Sequence, residues 1–156
     1  MTDHRRIGVD LNNAVWARLD AGDVTESSSI EERHELLYAA FASTYHWLQV
    51  GNAANHARGE HLISRVAART GFVEVALTHA RRCLQLVESH PDVSEDWDLA
   101  FALETLARAE AAVGDMQSAR RTLERAVTAT ANIADPEDRV IVEGELARAP
   151  WFGLRN

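Results

Sequence analysis

The clearest pattern of apolar and polar positions runs from residue 95 to residue 135. Apolar residues recur at helical spacing on both sides of a Gly114-Asp115 turn: Leu99, Leu103, Leu106, Ala107 and Val113 before it, and Met116, Ala119, Leu123, Ala126 and Val127 after it. Asp96 is expected to cap the first helix and Asp115 the second. The small residues on the apolar faces allow two helix backbones to approach closely. The pattern therefore predicts a tight antiparallel helical hairpin.

A weaker copy of this pattern surrounds Gly71. The segment GFVEVALTHARRCLQL aligns with GDMQSARRTLERAVTA, and the two leading glycines lie 43 positions apart. Ala76 then corresponds to Ala119, and Cys83 corresponds to Ala126. The chain is therefore expected to contain a degenerate helical repeat.

The hairpin resembles a tetratricopeptide repeat through Leu103, Leu106, Ala107, Gly114-Asp115, Ala119, Leu123 and Ala126. It departs from that family at Glu110, where an aromatic residue is usual, and at Pro136, which closes the unit late. Its 43-residue period exceeds the usual length of about 34 residues. The resemblance implies an all-α fold of six to seven helices, stacked as antiparallel hairpins in a short right-handed superhelix. An irregular helical bundle is the alternative.

The remaining helices follow from capping signals along one domain of residues 1–156. Residues 1–8 are expected to form a loose tail, and Asp10 to cap a short helix ending near Leu19. Ser29 and Glu32 have the spacing of a capping box, which starts a long helix ending near Val50. Further helices are expected over residues 53–69 and 72–88, and Asp135-Pro136 starts the last one. Residues 148–156 form an apolar segment that is expected to fold back as a C-terminal cap.

Composition narrows the possible functions. The net charge of −8 disfavours non-specific binding to nucleic acid or to an anionic membrane surface. The chain contains no apolar run of the ~20 residues that a membrane span needs, and its start lacks the apolar core of a secretion signal, so a cytoplasmic location is expected. The absence of lysine excludes a lysine-containing phosphate-binding loop and Schiff-base catalysis. Cys83, the single cysteine, excludes an internal disulfide. No catalytic signature and no cofactor motif is found.

One polar cluster is a candidate site. It lies around the turn between two predicted helices, and its members are His46, Asn52, Asn55, His56, Arg58, Glu60 and His61. The candidate partners of Glu60 are His46, His56, Arg58 and His79, which follows on the next helix. Three interpretations stay open. The cluster is a hydrogen-bonded network that fixes the helix angle, or a peptide or ligand site with Arg58, Asn52 and Asn55 as donors, or a metal site formed by His46, His56 and Glu60.

Three other features have structural and functional alternatives. Arg65, Arg69, Arg81 and Arg82 form either a solvated face with local ion pairs or a surface that recognises an acidic segment. The apolar segment of residues 151–154 either covers the end of the stack or is exposed as an anchor. Tyr38, Tyr45 and Trp47 either belong to the core or line a groove.

The leading prediction is a non-catalytic protein- or peptide-binding adaptor, with another protein as partner and homodimerisation as a possibility. The alternative is a small helical-bundle protein that binds a metal or a small ligand through His46, His56 and Glu60. A structural part of a larger regulatory assembly is the third possibility.

Overall fold

The computed structural model describes residues 1–155, which fold into seven α-helices without a strand. The helices are α1 (His4–Ala21), α2 (Ile30–Val50), α3 (Ala53–Arg69), α4 (Val73–Ser89), α5 (Asp96–Ala112), α6 (Met116–Ala131) and α7 (Pro136–Ala147). Successive helices pack as antiparallel hairpins, α1 with α2, α3 with α4 and α5 with α6, and α7 packs against α5 and α6. The prediction of an all-α stack of helical hairpins is confirmed. Within residues 1–155, every helix is too short or too polar to span a lipid bilayer.

Local capping explains where most helices begin. Ser29 and Glu32 form the predicted capping box at the start of α2, and the Asp135 side chain accepts a hydrogen bond from the amide of Glu137 at the start of α7. The predicted loose tail of residues 1–8 is wrong from His4 onward. Asp3 accepts a hydrogen bond from the amide of Arg6 and starts α1 well before Asp10. Asp10 therefore lies inside this helix.

A second difference concerns α5. The N-cap of α5 is Glu95 rather than the expected Asp96, because the carboxylate of Asp98 reaches back to the amide of Glu95.

The 43-residue spacing extends from the two glycines to the helix boundaries. Helix α5 begins and ends 43 positions after α3, and α6 begins 43 positions after α4. Gly71 and Gly114 both have positive φ, at 82° and 89°, the left-handed conformation that glycine adopts most easily at a helix C-terminus. Ala76 and Ala119 are both fully buried. The hairpins α3–α4 and α5–α6 thus correspond to each other in sequence and in the positions at which their helices begin.

Small residues allow the helices to pack closely against one another. Ala100, Ala107 and Ala109 of α5 are fully buried. At the contact between α2 and α3, a Cβ atom placed on Gly59 would lie 2.7 Å from the side chain of Thr44. Because Thr44 is short, β-branched and bonded through its hydroxyl to the carbonyl of Ala40, it has little freedom to move aside.

A buried ionic network joins the second and third hairpins to the C-terminal segment. Glu104 of α5 is fully buried, and its carboxylate accepts hydrogen bonds from Arg108 and, at 3.0 Å, from Arg65 of α3. The same Arg65 nitrogen donates to Glu145 of α7 at 3.1 Å. Two guanidinium groups therefore share a carboxylate that no solvent reaches.

Arg108 also holds the C-terminal segment in place. Its guanidinium donates to the carbonyl oxygens of Pro150 and Glu145 and lies 3.9 Å from the ring centroid of Trp151. Trp151 is buried and donates its indole N–H to the carbonyl of Leu146. Apolar residues 151, 152 and 154 pack against the core clusters of the stack. Asn156, the last residue of the predicted C-terminal cap, lies outside the described residues.

The pKa of Glu104 reflects this network. Burial alone would raise the pKa of the carboxyl, but the guanidinium groups of Arg65 and Arg108 together with His61 lower it well below its ordinary value. Glu104 is therefore ionised at neutral pH, and its ionised form stabilises the folded state.

We expect Gly59→Ala to destabilise the protein. Overpacking costs about 1–3 kcal/mol, which exceeds the helix-propensity gain of about 0.5–1 kcal/mol for replacing glycine by alanine. Gly144→Ala in α7 is the matched control, because a Cβ atom there meets nothing within 4 Å. Urea unfolding should show lower stability for Gly59→Ala and slightly higher stability for Gly144→Ala. Equal gains in both variants would contradict the close contact at Thr44.

We expect Glu104→Gln to cost about 3–5 kcal/mol at neutral pH, because it leaves the buried guanidinium of Arg108 with only backbone carbonyl partners and Arg65 with Glu145 as its one carboxylate partner. Glu88→Gln is the control, since Glu88 forms an exposed ion pair with Arg125, and its effect should stay within about 0.5 kcal/mol.

The penalty of Glu104→Gln should also depend on pH. The folded-state pKa of Glu104 is lowered, so its stabilisation is fully present above the ordinary glutamate pKa of about 4.3 and is lost as the pH falls toward the lower folded-state value. Urea unfolding between pH 7 and about pH 3 should show the wild type approaching Glu104→Gln. A penalty that stays constant over this range would rule out the ionised carboxylate as its source.

Candidate functional site

A cleft of about 290 Å³ opens between the first helices of the three hairpins, α1, α3 and α5. Each helix contributes two residues on one face, three or four positions apart. These six residues are Asn12, Trp16, Arg58, His61, Trp97 and Phe101. Ala57 of α3, Asp98 of α5, and Cys83 and Val87 of α4 complete the lining. The hairpin stack thus brings side chains that are distant in sequence to one concave surface.

Aromatic rings form most of the walls. The His61 ring stacks on Trp16 with 5.8 Å between centroids and meets the edge of Phe101 at 5.5 Å. Phe101 in turn lies edge-to-face with Trp97 at 6.0 Å. Trp16, Trp97 and Phe101 are only partly buried, so part of each side chain stays accessible. The walls present flat apolar surfaces at the separations that aromatic pairs prefer.

One wall carries a fixed ion pair. Arg58 donates from Nε and Nη2 to the two carboxylate oxygens of Asp98, both at 2.9 Å, and its guanidinium lies 4.4 Å from the ring centroid of Trp97. Asp98 is almost fully buried, and its carboxylate also accepts a hydrogen bond from the amide of Glu95. The pair is therefore rigid and bidentate. Arg58 is 41% exposed, and its Nη1 makes no hydrogen bond within residues 1–155.

The floor of the cleft connects to the buried network. His61 Nε2 lies 3.5 Å from Glu104 Oε2, and neither atom makes a well-aligned hydrogen bond within the described chain. Cys83 also lies at the floor. Burial is the main cause that raises the pKa of its thiol, and the nearby carboxylates of Asp98, Glu60 and Glu104 raise it further. The thiol therefore stays protonated at neutral pH and acts as a small apolar group.

The asparagines of the predicted cluster are capping residues. Asn52 Oδ1 accepts from the amides of Ala54 and Asn55 at 3.0 and 3.2 Å, and Asn55 Oδ1 accepts from the amide of Asn52 at 3.1 Å. This reciprocal arrangement is a capping box at the start of α3. The carbonyl oxygens of both side chains are thus occupied by the helix N-terminus.

The histidines of the predicted cluster are separated from one another. His46 shares a hydrogen bond with the ring of His4, with 2.9 Å between their Nδ1 atoms. Glu60 pairs with His79, one of its predicted partners, between α3 and α4. His56 Nε2 is buried without a hydrogen-bond partner in residues 1–155. Across those residues no group of three or more His, Cys, Asp or Glu side chains is arranged to hold a metal ion. The predicted metal site of His46, His56 and Glu60 is therefore not assembled.

Arg58 and His61 are the two residues of the predicted cluster that line the cleft. Of the candidate partners of Glu60, Arg58 pairs with Asp98 instead, and His79 pairs with Glu60. Sequence reasoning missed the aromatic walls. A signal was present in the repeat, because Arg58 and Phe101 are 43 positions apart and therefore occupy equivalent places in α3 and α5.

The predicted arginine patch is divided by the fold. Arg65 is largely buried between Glu104 and Glu145 and is not part of a solvated face. Arg81 and Arg82 are exposed on α4, where Arg82 donates to Gln85. These arginines therefore do not form one continuous surface for an acidic segment.

No family model matches this chain, and comparisons with curated proteins and with solved structures give no significant match. What the cleft does therefore has to be inferred from its own geometry and chemistry.

Proposed function

We propose that this protein is a non-catalytic binding module of tetratricopeptide-like type, which holds a segment of a partner protein in the cleft between α1, α3 and α5. The observation that carries the proposal is an open, aromatic-walled cleft with one rigid guanidinium at its rim. A cytoplasmic location is part of the proposal, as expected from the sequence.

The size of the cleft favours a side chain over a complete small molecule. Pockets for small ligands usually enclose about 300–1,000 Å³, and this cleft, at about 290 Å³, is at the lower limit of that range. It suits one large apolar side chain of a peptide, stacked between Trp16 and Trp97. Anchors of this kind, which fill an aromatic pocket, provide most of the binding free energy at many protein interfaces.

The polar groups suit a peptide backbone. Arg58 has one nitrogen free for a carbonyl oxygen, and the amide of Asn12 provides both a donor and an acceptor on the opposite wall. Asp98 already compensates the charge of Arg58, so a peptide carboxylate is not required. The net charge of −8 favours approach of a neutral or basic segment and disfavours nucleic acid.

The decisive test blocks the cleft without touching the core. Asn12→Arg places a long charged side chain in the cleft, whereas Asn13→Arg changes the neighbouring exposed residue, which does not line it. A random peptide library displayed on phage should yield ligands with apolar or aromatic anchors on the wild-type protein. Fluorescence polarisation of the best labelled peptide should show binding weakened about tenfold or more by Asn12→Arg and unchanged by Asn13→Arg.

Two outcomes would contradict the proposal. The first is failure to select any peptide, and the second is equal affinity of both arginine variants. In the first case, quenching of Trp16 and Trp97 fluorescence by small aromatic compounds would indicate that the cleft binds a small molecule instead.

A further inference from the structure

Helix α2 has an exposed apolar stripe on the side that does not face the core. Tyr38, Phe41, Tyr45 and Leu48 are 63%, 38%, 57% and 52% exposed. Their spacing of three, four and three positions places them in one line along the helix. Of the two alternatives for Tyr38 and Tyr45, a place in the core is wrong, because Leu37, Ala40 and Thr44 occupy the buried face instead.

The stripe lies in a stretch without any charge. Residues 38–50 contain no Asp, Glu, Lys or Arg, although 26% of the chain is charged. Depletion of charge combined with aromatic side chains is the composition that distinguishes the centre of a protein interface. An exposed helix that only meets water usually carries charged residues on this side.

We propose that this stripe is the contact surface for a second copy of the same chain, with the two α2 helices antiparallel across a two-fold axis. A two-fold interface requires a surface that complements itself. In this arrangement Tyr38 faces Leu48 of the second copy and Phe41 faces its Tyr45. Two copies with a net charge of −8 each repel one another, and a stretch free of acidic residues minimises that repulsion at the contact.

The charges at the two ends of α2 determine the antiparallel direction. Glu31, Glu32 and Glu35 lie in the first turns of α2. Arg33, the basic residue among them, is turned inward and donates to the carbonyl of Thr70. At the other end, Asp3 and Asp10 pair with Arg6, and the guanidinium of Arg5 lies 5.4 Å from the ring centroid of Trp47, where it provides the positive charge. Antiparallel pairing brings the acidic end of one copy to the basic end of the other, whereas parallel pairing joins like charges.

The area of the stripe fits a reversible dimer. Large aromatic side chains bury about 150–250 Å² each, so the exposed parts of the four stripe residues amount to roughly 400 Å² per copy. Stable interfaces bury about 800 Å² per partner, so the stripe supplies about half of that area, and the dimer is expected to be weak and concentration-dependent. The dimer contact leaves the cleft uncovered, because none of the residues that line the cleft belongs to α2. The dimer is therefore independent of the proposed peptide binding.

Sedimentation equilibrium over a wide concentration range tests the dimer. The mass of the wild-type protein should rise from 17.3 kDa toward twice that value. Tyr45→Glu should stay monomeric over the same range with unchanged helical circular dichroism, because it places a charge in the centre of the interface. Val127→Glu is the matched control, since Val127 is an equally exposed apolar residue on α6, and it should dimerise as the wild type does.

A wild-type protein that stays monomeric at every concentration would overturn the proposal. Dimerisation of Tyr45→Glu at wild-type strength would overturn it as well, because the contact would then lie elsewhere.

A short bis-maleimide reagent tests the direction of pairing. Ala42 is next to the two-fold axis, so Ala42→Cys should cross-link the dimer. Leu48→Cys should not, because the two copies of residue 48 are separated by about 15 Å along the helices at a rise of 1.5 Å per residue. The native Cys83 is buried and does not interfere. Cross-linking through residue 48 and not through residue 42 would exclude the antiparallel arrangement.

Discussion

The carboxylate of Glu104, enclosed by the guanidinium groups of Arg65 and Arg108, is the interaction on which the rest of the structure depends. It connects α3 to α5, and through Arg108 it connects α5 to the carbonyls of Glu145 and Pro150. Burying these charges is costly unless each finds its partners. The network therefore tolerates few alternative arrangements of α3, α5 and the C-terminal segment, and it fixes how the second and third hairpins stack.

This constraint also shapes the cleft. Phe101 lies one helical turn before Glu104 on α5, and His61 lies one turn before Arg65 on α3. The ionic network thus holds the two helices at the separation at which His61 contacts both Trp16 and Phe101. The Arg58–Asp98 pair is a second ionic contact between α3 and α5, about two turns closer to the helix N-termini. Two charged contacts between α3 and α5 therefore pre-organise the aromatic walls, and a ligand does not need to order them on binding.

The sequence contained enough information for the helices but little for the site. Capping residues and apolar spacing are local signals, so Ser29, Asn52 and Asp135 marked helix starts that the structure contains. The partner of Arg58 is 40 positions away along the chain, and no local pattern indicates such a pair. Asn52 and Asn55 were assigned to a site because a capping box gathers polar side chains at a turn, as a ligand site does.

The two faces of α2 show why an apolar pattern alone does not locate the core. Leu37 and Thr44 share one line of this helix and Tyr38 and Tyr45 the next, and both lines have helical spacing. The first line is buried, because α1 and α3 close over it. The second line has no such neighbour, whereas α5 at the other end is covered by Trp151 and the segment around it. A short stack of hairpins has to shield its terminal apolar surfaces in some way. At α5 the C-terminal segment of the chain shields the apolar surface, and at α2 a second copy would shield it.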